Sequence, residues 1–191
     1  LGHRDFGENR ADEGGDKINA ARRDHKAITW HMIGHVQRRK ARDVAADFDW
    51  VHSVDGAPLA ERLSRLAGEA GRTLPILLEC NVSGEVSKSG LPADRWQSDP
   101  AHWEPLCAIV ESIIAQPNLR VKGLMTMAPV APEPEIARPV FQQLRALRDR
   151  LAARFPAAAW SELSMGMTDD FEVAVEEGAT MVRIGRAIFA P

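Results

Sequence analysis

The chain has 191 residues, 45% of them hydrophobic and 27% charged, with a formal net charge of −3; that is enough for one domain with a sizeable core. The acidic balance argues against a general nucleic-acid binder, and no apolar run is long enough to span a membrane. Cys80 and Cys107 lie in apolar runs and read as reduced core residues, and no secretory leader is visible, so a cytoplasmic protein is expected.

In chain order, Leu1 and Gly2 read as the end of a helix and its glycine cap, with no helix body before them and no initiator methionine. We therefore expect the beginning to be missing. Phe6, Gly7, Glu8 and Asn9 form a run too short to assign firmly as a strand. Residues 11–24 are polar and weakly helical, because Gly14 and Gly15 interrupt them. Residues 29–34 are a β-rich run ending on Gly34. Residues 35–48 read as a basic helix with Val36, Val44 and Ala45 on its apolar side. Residues 50–54 are a strand. Residues 58–70 are an amphipathic helix, with Leu59, Leu63 and Leu66 at helical spacing. Residues 74–82 are a strongly apolar strand, and 83–90 a polar loop with two glycines, suited to gate a site. Residues 101–116 are a helix, 121–127 a strand, 128–134 a Pro-rich loop and 136–155 a long helix.

The last stretch carries the chemistry. Glu162-Leu163-Ser164-Met165-Gly166 is a short apolar run reaching a glycine, and Met181-Val182-Arg183-Ile184-Gly185 repeats the pattern. Between them a short helix is expected. Asp169 and Asp170 open it, Glu172 completes a capping box and Gly178 closes it. Two adjacent strand ends with glycine turns make an anion site, so a phosphate is expected there.

The whole alternates about seven strands with about six helices, many strands apolar without alternation, as in a parallel sheet. A doubly wound open sheet and a barrel both fit that pattern. No Gly-x-Gly-x-x-Gly follows an early strand, which weakens the dinucleotide version of the open sheet. The expected fold is α/β, a (β/α)8 TIM barrel lacking its first strand, with residues 1–191 as a single domain. Its glycine-ending strands would be numbers 7 and 8, where such barrels place a phosphate.

Several segments, taken together and in order, resemble the pyridoxal phosphate homeostasis proteins. They are Phe6-Gly7-Glu8-Asn9, Trp30-His31-Met32-Ile33-Gly34-His35-Val36-Gln37, Ser87-Lys88-Ser89-Gly90, Gly123-Leu124-Met125, Leu163-Ser164-Met165-Gly166-Met167-Thr168-Asp169-Asp170 and Val182-Arg183-Ile184-Gly185. These proteins are similar to the N-terminal domain of alanine racemase. The resemblance implies a PLP-binding barrel that carries pyridoxal 5′-phosphate (PLP) and balances vitamin B6 pools without established turnover. It implies Ser164, Met165, Gly166 and Gly185 around the phosphate, Arg183 facing the pyridine nitrogen, and Asn9 and Met125 lining the ring pocket. An arginine at that nitrogen keeps it unprotonated and weakens PLP as an electron sink.

In the family the Schiff-base lysine sits on the first strand, in a Val-Ser-Lys-like stretch that this chain lacks. The five lysines are Lys17, Lys26, Lys40, Lys88 and Lys122. Lys17, Lys26 and Lys40 fall on helical or flanking surfaces, and Lys122 would start its strand, far from the ligand. Lys88, on a loop after a strand end, is the candidate substitute. Arg38-Arg39 departs from the family pattern on a surface. Covalent retention of PLP is thus not expected, and the chain reads as a fragment with open sheet edges.

Two other functions stay open at this point: a racemase-like PLP enzyme, and a barrel enzyme acting on a small phosphate ester. The first would need a catalytic acid or base such as tyrosine, and the chain has none. The second would need a base at a strand end; Glu79 is the carboxylate within a core-like strand, and it is expected to be paired inside the barrel. No metal, nucleic acid or membrane is expected as a partner, and the oligomeric expectation is a monomer or weak dimer. His31 and His35 share no helix face because Gly34 intervenes. The basic run at Arg38, Arg39, Lys40 and Arg42 reads as a solvated face.

Overall fold

The computed structural model describes residues 2–24 and 27–189. The expectations for Leu1 and Lys26 fall outside those residues. Among the described residues eight strands form: β1 (Asp5–Glu8), β2 (Thr29–Met32), β3 (Trp50–Val54), β4 (Leu74–Asn81), β5 (Leu91–Pro92), β6 (Leu119–Met125), β7 (Glu162–Met167) and β8 (Met181–Arg183). Seven of them run in the order β1-β2-β3-β4-β6-β7-β8, all parallel to their neighbours, while β5 pairs with the end of β4. Seven α-helices intervene or follow among the same described residues: α1 (Ala11–Arg23), α2 (Ala41–Asp47), α3 (Ala57–Glu69), α4 (Pro100–Ile114), α5 (Arg138–Arg154), α6 (Phe171–Glu176) and α7 (Arg186–Phe189).

One contact shows that this sheet is curled. His52 on β3 and Ser164 on β7 are three steps apart in strand order, yet their side chains meet at 2.9 Å. A flat sheet would hold them more than 10 Å apart, since neighbouring strands are about 4.8 Å from one another. The strands therefore form a nearly closed barrel of the (β/α)8 type. Among the described residues β1 and β8 are the two ends of the strand order.

The core lies between strands and helices. Leu74, Ile76, Leu78 and Cys80 alternate along β4 into it, and α5 adds Phe141, Leu144, Leu147 and Leu151, all fully buried. Each such leucine contributes roughly 2 kcal/mol. Cys80 and Cys107 are both free and buried in this core. The Asp99 carboxylate caps α4 by accepting from the Ala101 N–H at 2.9 Å.

Several elements differ from expectation. Residues 5–8 do make a strand, held in register from Asp5 against Thr29 to Glu8 against Met32. Residues 11–23 make an unbroken helix despite two glycines. Packing explains this: a Cβ at Gly14 would sit 2.6 Å from the Phe48 ring, so the glycine lets α1 approach its neighbour, with Ala11 and Ile18 buried on the same face. The basic helix is shorter, with a 3₁₀ turn at Arg38–Lys40 before α2, and the long helix likewise opens with a 3₁₀ turn at Pro134–Ala137. Lys122 does not start its strand. It lies in mid-β6, where the register against β4 shifts between Ile76 and Leu77.

Candidate functional site

The C-terminal ends of parallel strands form one mouth of the barrel, where Asn9, Gly34, Met125, Met167 and Arg183 gather at or just beyond the strand ends. Gly34 is dictated by crowding: a Cβ there would meet the Asn9 carbonyl oxygen at 2.1 Å.

The β7 end is shaped by a bulge. Ser164 pairs with Met181 but Met167 pairs with Arg183, so β7 spends one more residue than β8 over the same span. Gly166 absorbs the extra residue with φ +92°, in the left-handed region. A Cβ on it would sit 2.5 Å from the Ala174 Cβ and 3.1 Å from the Phe171 Cα, so the glycine also seats α6 against the strand. The expected capping box does not form. The Asp170 carboxylate accepts from the Met167 N–H at 2.6 Å, and no side chain caps α6. Asp169 pairs with Arg186 across to the β8 turn. Gly178 ends the helix in the left-handed conformation, as expected. On the far side Glu177 receives Arg138 at 2.9 Å and Arg145 at 3.2 Å, fixing α6 to α5.

Inside the barrel lies a line of polar side chains. The Arg183 Nη1–H donates to Ser164 Oγ at 2.7 Å, and Nη2–H donates to the Thr126 carbonyl oxygen at 2.8 Å. Ser164 Oγ lies 2.9 Å from His52 Nδ1, His52 Nε2 lies 2.9 Å from His31 Nδ1, and His31 Nε2 lies 3.3 Å from Asp5 Oδ1. His52 is held well below the usual histidine pKa, first by burial and then by His31 and Arg183. Burial lowers His31 too, against the hydrogen bond it makes to the Asp5 carboxylate. Arg183 is brought down to about 10, mainly by burial of its head, and stays a cation at neutral pH. Glu79 sits in the interior with a raised pKa, caused by burial and then by Asp55. It is not paired as expected: its Oε2 is buried without a hydrogen-bond partner. Arg183 and His35 nonetheless act on it at a distance, each lowering its pKa against the effect of burial.

The residues predicted from sequence are distributed as follows. Ser164 and Arg183 come together, next to the Gly166 bulge. Met125, paired with Ser164 in register, is fully buried at the end of β6. Met165 belongs to the packed core on the other face of β7, leaving its backbone near the mouth. Asn9 is exposed just past β1, and Gly185 is exposed in the turn after β8, where a Cβ would meet nothing within 4 Å. Lys88 is near the mouth but engaged, its ammonium donating to the Met127 carbonyl oxygen at 2.7 Å and facing Glu85 at 2.7 Å. Its loop is laced down by Asn81, whose amide donates to the carbonyls of Glu85 and Lys88. His31 and His35 part company: His31 turns inward, while His35 faces Asp55 at 3.4 Å. Sequence reasoning missed His52, His31 as its partner, and the Thr126 carbonyl. The available signal was polar residues at inward positions of otherwise apolar strands.

Against known proteins, residues 1–191 match the family model described as alanine racemase, N-terminal domain. The chain belongs to that family. It is 40% identical over 191 residues to a pyridoxal phosphate homeostasis protein of Vibrio cholerae, covering 99% of this chain and 76% of that one. It is 39% identical to the protein of the same name from Escherichia coli K12, with the same coverage. Among solved structures, PipY of Synechococcus elongatus without PLP superposes with a TM-score of 0.87 at 38% identity, covering 99% of this chain and 83% of that one. The PLP-bound form of PipY gives 0.84 at 36% identity. An alanine racemase from Clostridium difficile shares the fold, at TM-score 0.73 and 14% identity.

Proposed function

We propose that this chain binds PLP at the barrel mouth and serves as a non-catalytic, cytosolic carrier in vitamin B6 homeostasis. The observation that supports it most is the Ser164–Arg183 pair beside the Gly166 bulge and the Gly185 turn, in a chain similar from end to end to a protein solved with PLP bound. The residues present fit the ligand. The two glycine turns leave backbone open to a phosphate, with free space beside Gly185. Arg183 supplies a cation fixed in direction by two acceptors, Ser164 and Thr126, suited to face the pyridine nitrogen. Met125, beside Ser164 on the neighbouring strand β6, and Asn9, just after β1, bound the ring. Lys88 is held by Met127 and Glu85, so the reading is non-covalent retention by these residues.

PLP supplies an electrophilic aldehyde and an electron-withdrawing ring, and the ring withdraws strongly when its nitrogen is protonated. Arg183 remains a cation at neutral pH and does not hand over its proton, so a nitrogen facing it stays unprotonated. That supports carrying over catalysis.

The test is a PLP titration followed by absorbance, then borohydride reduction and peptide mass spectrometry. Saturable binding, competed by inorganic phosphate and with no lysine labelled, is expected, together with no deuterium exchange at the α-carbon of alanine. Absence of saturable binding would overturn the PLP reading, label on Lys88 would overturn the non-covalent reading, and α-carbon exchange would overturn the carrier reading.

A further inference from the structure

We propose that His52 is a positioning residue for Arg183, acting through Ser164 and oriented from behind by His31 and Asp5. This rests on Arg183 belonging to the PLP site. No family resemblance assigns a role to His52, His31 or Asp5; the assignment comes from four consecutive contacts that cross the barrel.

The protons in this line have one consistent order. Ser164 Oγ accepts from Arg183, so its own single proton is free to point at its other neighbour, His52 Nδ1. A neutral His52 then carries its proton on Nε2 and donates to His31 Nδ1. His31 in turn carries its proton on Nε2 and donates to the Asp5 carboxylate. The reverse order fails at the end. It would leave a bare His31 nitrogen facing a carboxylate, two acceptors with no proton between them. Asp5 thus sets the direction of the whole line, and burial keeps both imidazoles neutral as the order requires.

The consequence falls on Arg183. With its proton drawn to His52, the Ser164 hydroxyl cannot rotate and keeps a lone pair aimed at Nη1. The guanidinium is then held at two points on two strands, Ser164 of β7 and Thr126 after β6. Loss of the His52 acceptor frees the hydroxyl and leaves Arg183 one fixed partner. A cation that must meet a ligand at a set angle depends on being held before the ligand arrives.

Two substitutions separate this role from packing. Asparagine places its side-chain oxygen where Nδ1 of histidine lies, so His52→Asn keeps an acceptor for Ser164 and cuts the link to His31. Glutamine places its amide where Nε2 lies, so His52→Gln keeps the link to His31 and cuts the one to Ser164. Two measurements are made on each variant and on Ser164→Ala: PLP affinity, and the nitrogen-15 and proton resonances of the Arg183 guanidinium in the ligand-free protein. The parent and His52→Asn should show separate, slowly exchanging Nη protons and PLP affinities within about threefold of one another. His52→Gln and Ser164→Ala should show averaged Nη protons and about tenfold weaker binding. Equal behaviour of the two His52 variants in both measurements, at comparable thermal stability, would overturn the proposal. If the parent failed to bind PLP, the PLP reading would fall, while the guanidinium resonances would still decide whether His52 holds Arg183.

Discussion

Replacing Gly166 with alanine should destabilise the protein by about 2–5 kcal/mol, the sum of two separate penalties. The backbone at Gly166 has φ +92°, which costs an L-residue about 1–2 kcal/mol. The new methyl would also lie 2.5 Å from the Ala174 Cβ and 3.1 Å from the Phe171 Cα, an overpacking of about 1–3 kcal/mol. The two penalties can be separated. Ala174→Gly removes the nearer obstacle and by itself costs about 1–2 kcal/mol, from helix propensity and one buried methyl. In the double variant the contact with Ala174 should vanish, while the contact with Phe171 and the backbone part remain. The pair should then be less destabilised than the sum of the singles by about 1–2 kcal/mol, the share of the overpacking that Ala174 causes and still beyond the additivity error of about 0.5 kcal/mol. Urea unfolding of the four proteins, with midpoints and slopes compared, measures this. Strict additivity, or a Gly166→Ala protein as stable as the parent, would refute the view that the bulge and the seat of α6 share this one missing Cβ.

Three further outcomes follow from the polar interior. Stability should fall as pH drops below about 6.5, by about 1.4 kcal/mol per unit for each histidine kept neutral in the fold, because the unfolded chain then binds protons that buried His31 and His52 refuse; urea midpoints between pH 7.5 and 5 test this, and a flat profile would contradict it. Glu79→Gln should be neutral or stabilising at pH 7, since the parent loses stability as pH rises from about 4.5 through the raised folded pKa and glutamine does not; parallel stability curves for parent and variant over that range would count against a strained carboxylate. Arg183→Lys should weaken PLP binding by about tenfold or more in an absorbance titration, because one ammonium cannot span the Ser164 hydroxyl and the Thr126 carbonyl with the geometry of a planar fork; an unchanged affinity would show that charge alone suffices.

What could be read from the sequence was what local pattern encodes. The strand at Trp50–Val54 and the glycine-ended runs around Gly166 and Gly185 announce themselves through short apolar stretches closed by turn residues. Ser164 and Arg183 came with them, because they lie within those stretches. Helix α1 was obscured because Gly14 is a poor helix former in isolation, and its reason is the Phe48 ring just past the end of α2, which no local window contains. The Asp170 carboxylate looked like a cap because aspartate before a helix usually is one. The bulge, a matter of register between β7 and β8, frees the Met167 N–H and captures it instead. His52 was missed for a similar reason: its partner Ser164 lies 112 residues away, and a lone histidine in a strand gives no hint of direction.

The interior of a (β/α)8 barrel is ordinarily filled by branched apolar side chains. Here His31, His52, Glu79, Ser164 and Arg183 occupy it, and each would cost stability if unpaired. Four of the five are joined into one line ending on an exposed carboxylate, Asp5. Burial of the guanidinium opposes the charged form of Arg183, while Asp170 and Glu79, both buried, favour it. Glu79 is the exception: its Oε2 has no hydrogen-bond partner, burial raises its pKa, and its charge favours the cationic form of Arg183. The barrel thus holds an arginine whose two hydrogen bonds go to uncharged acceptors, the Ser164 hydroxyl and the Thr126 carbonyl, which suits the proposed reversible site for an anionic, aromatic ligand.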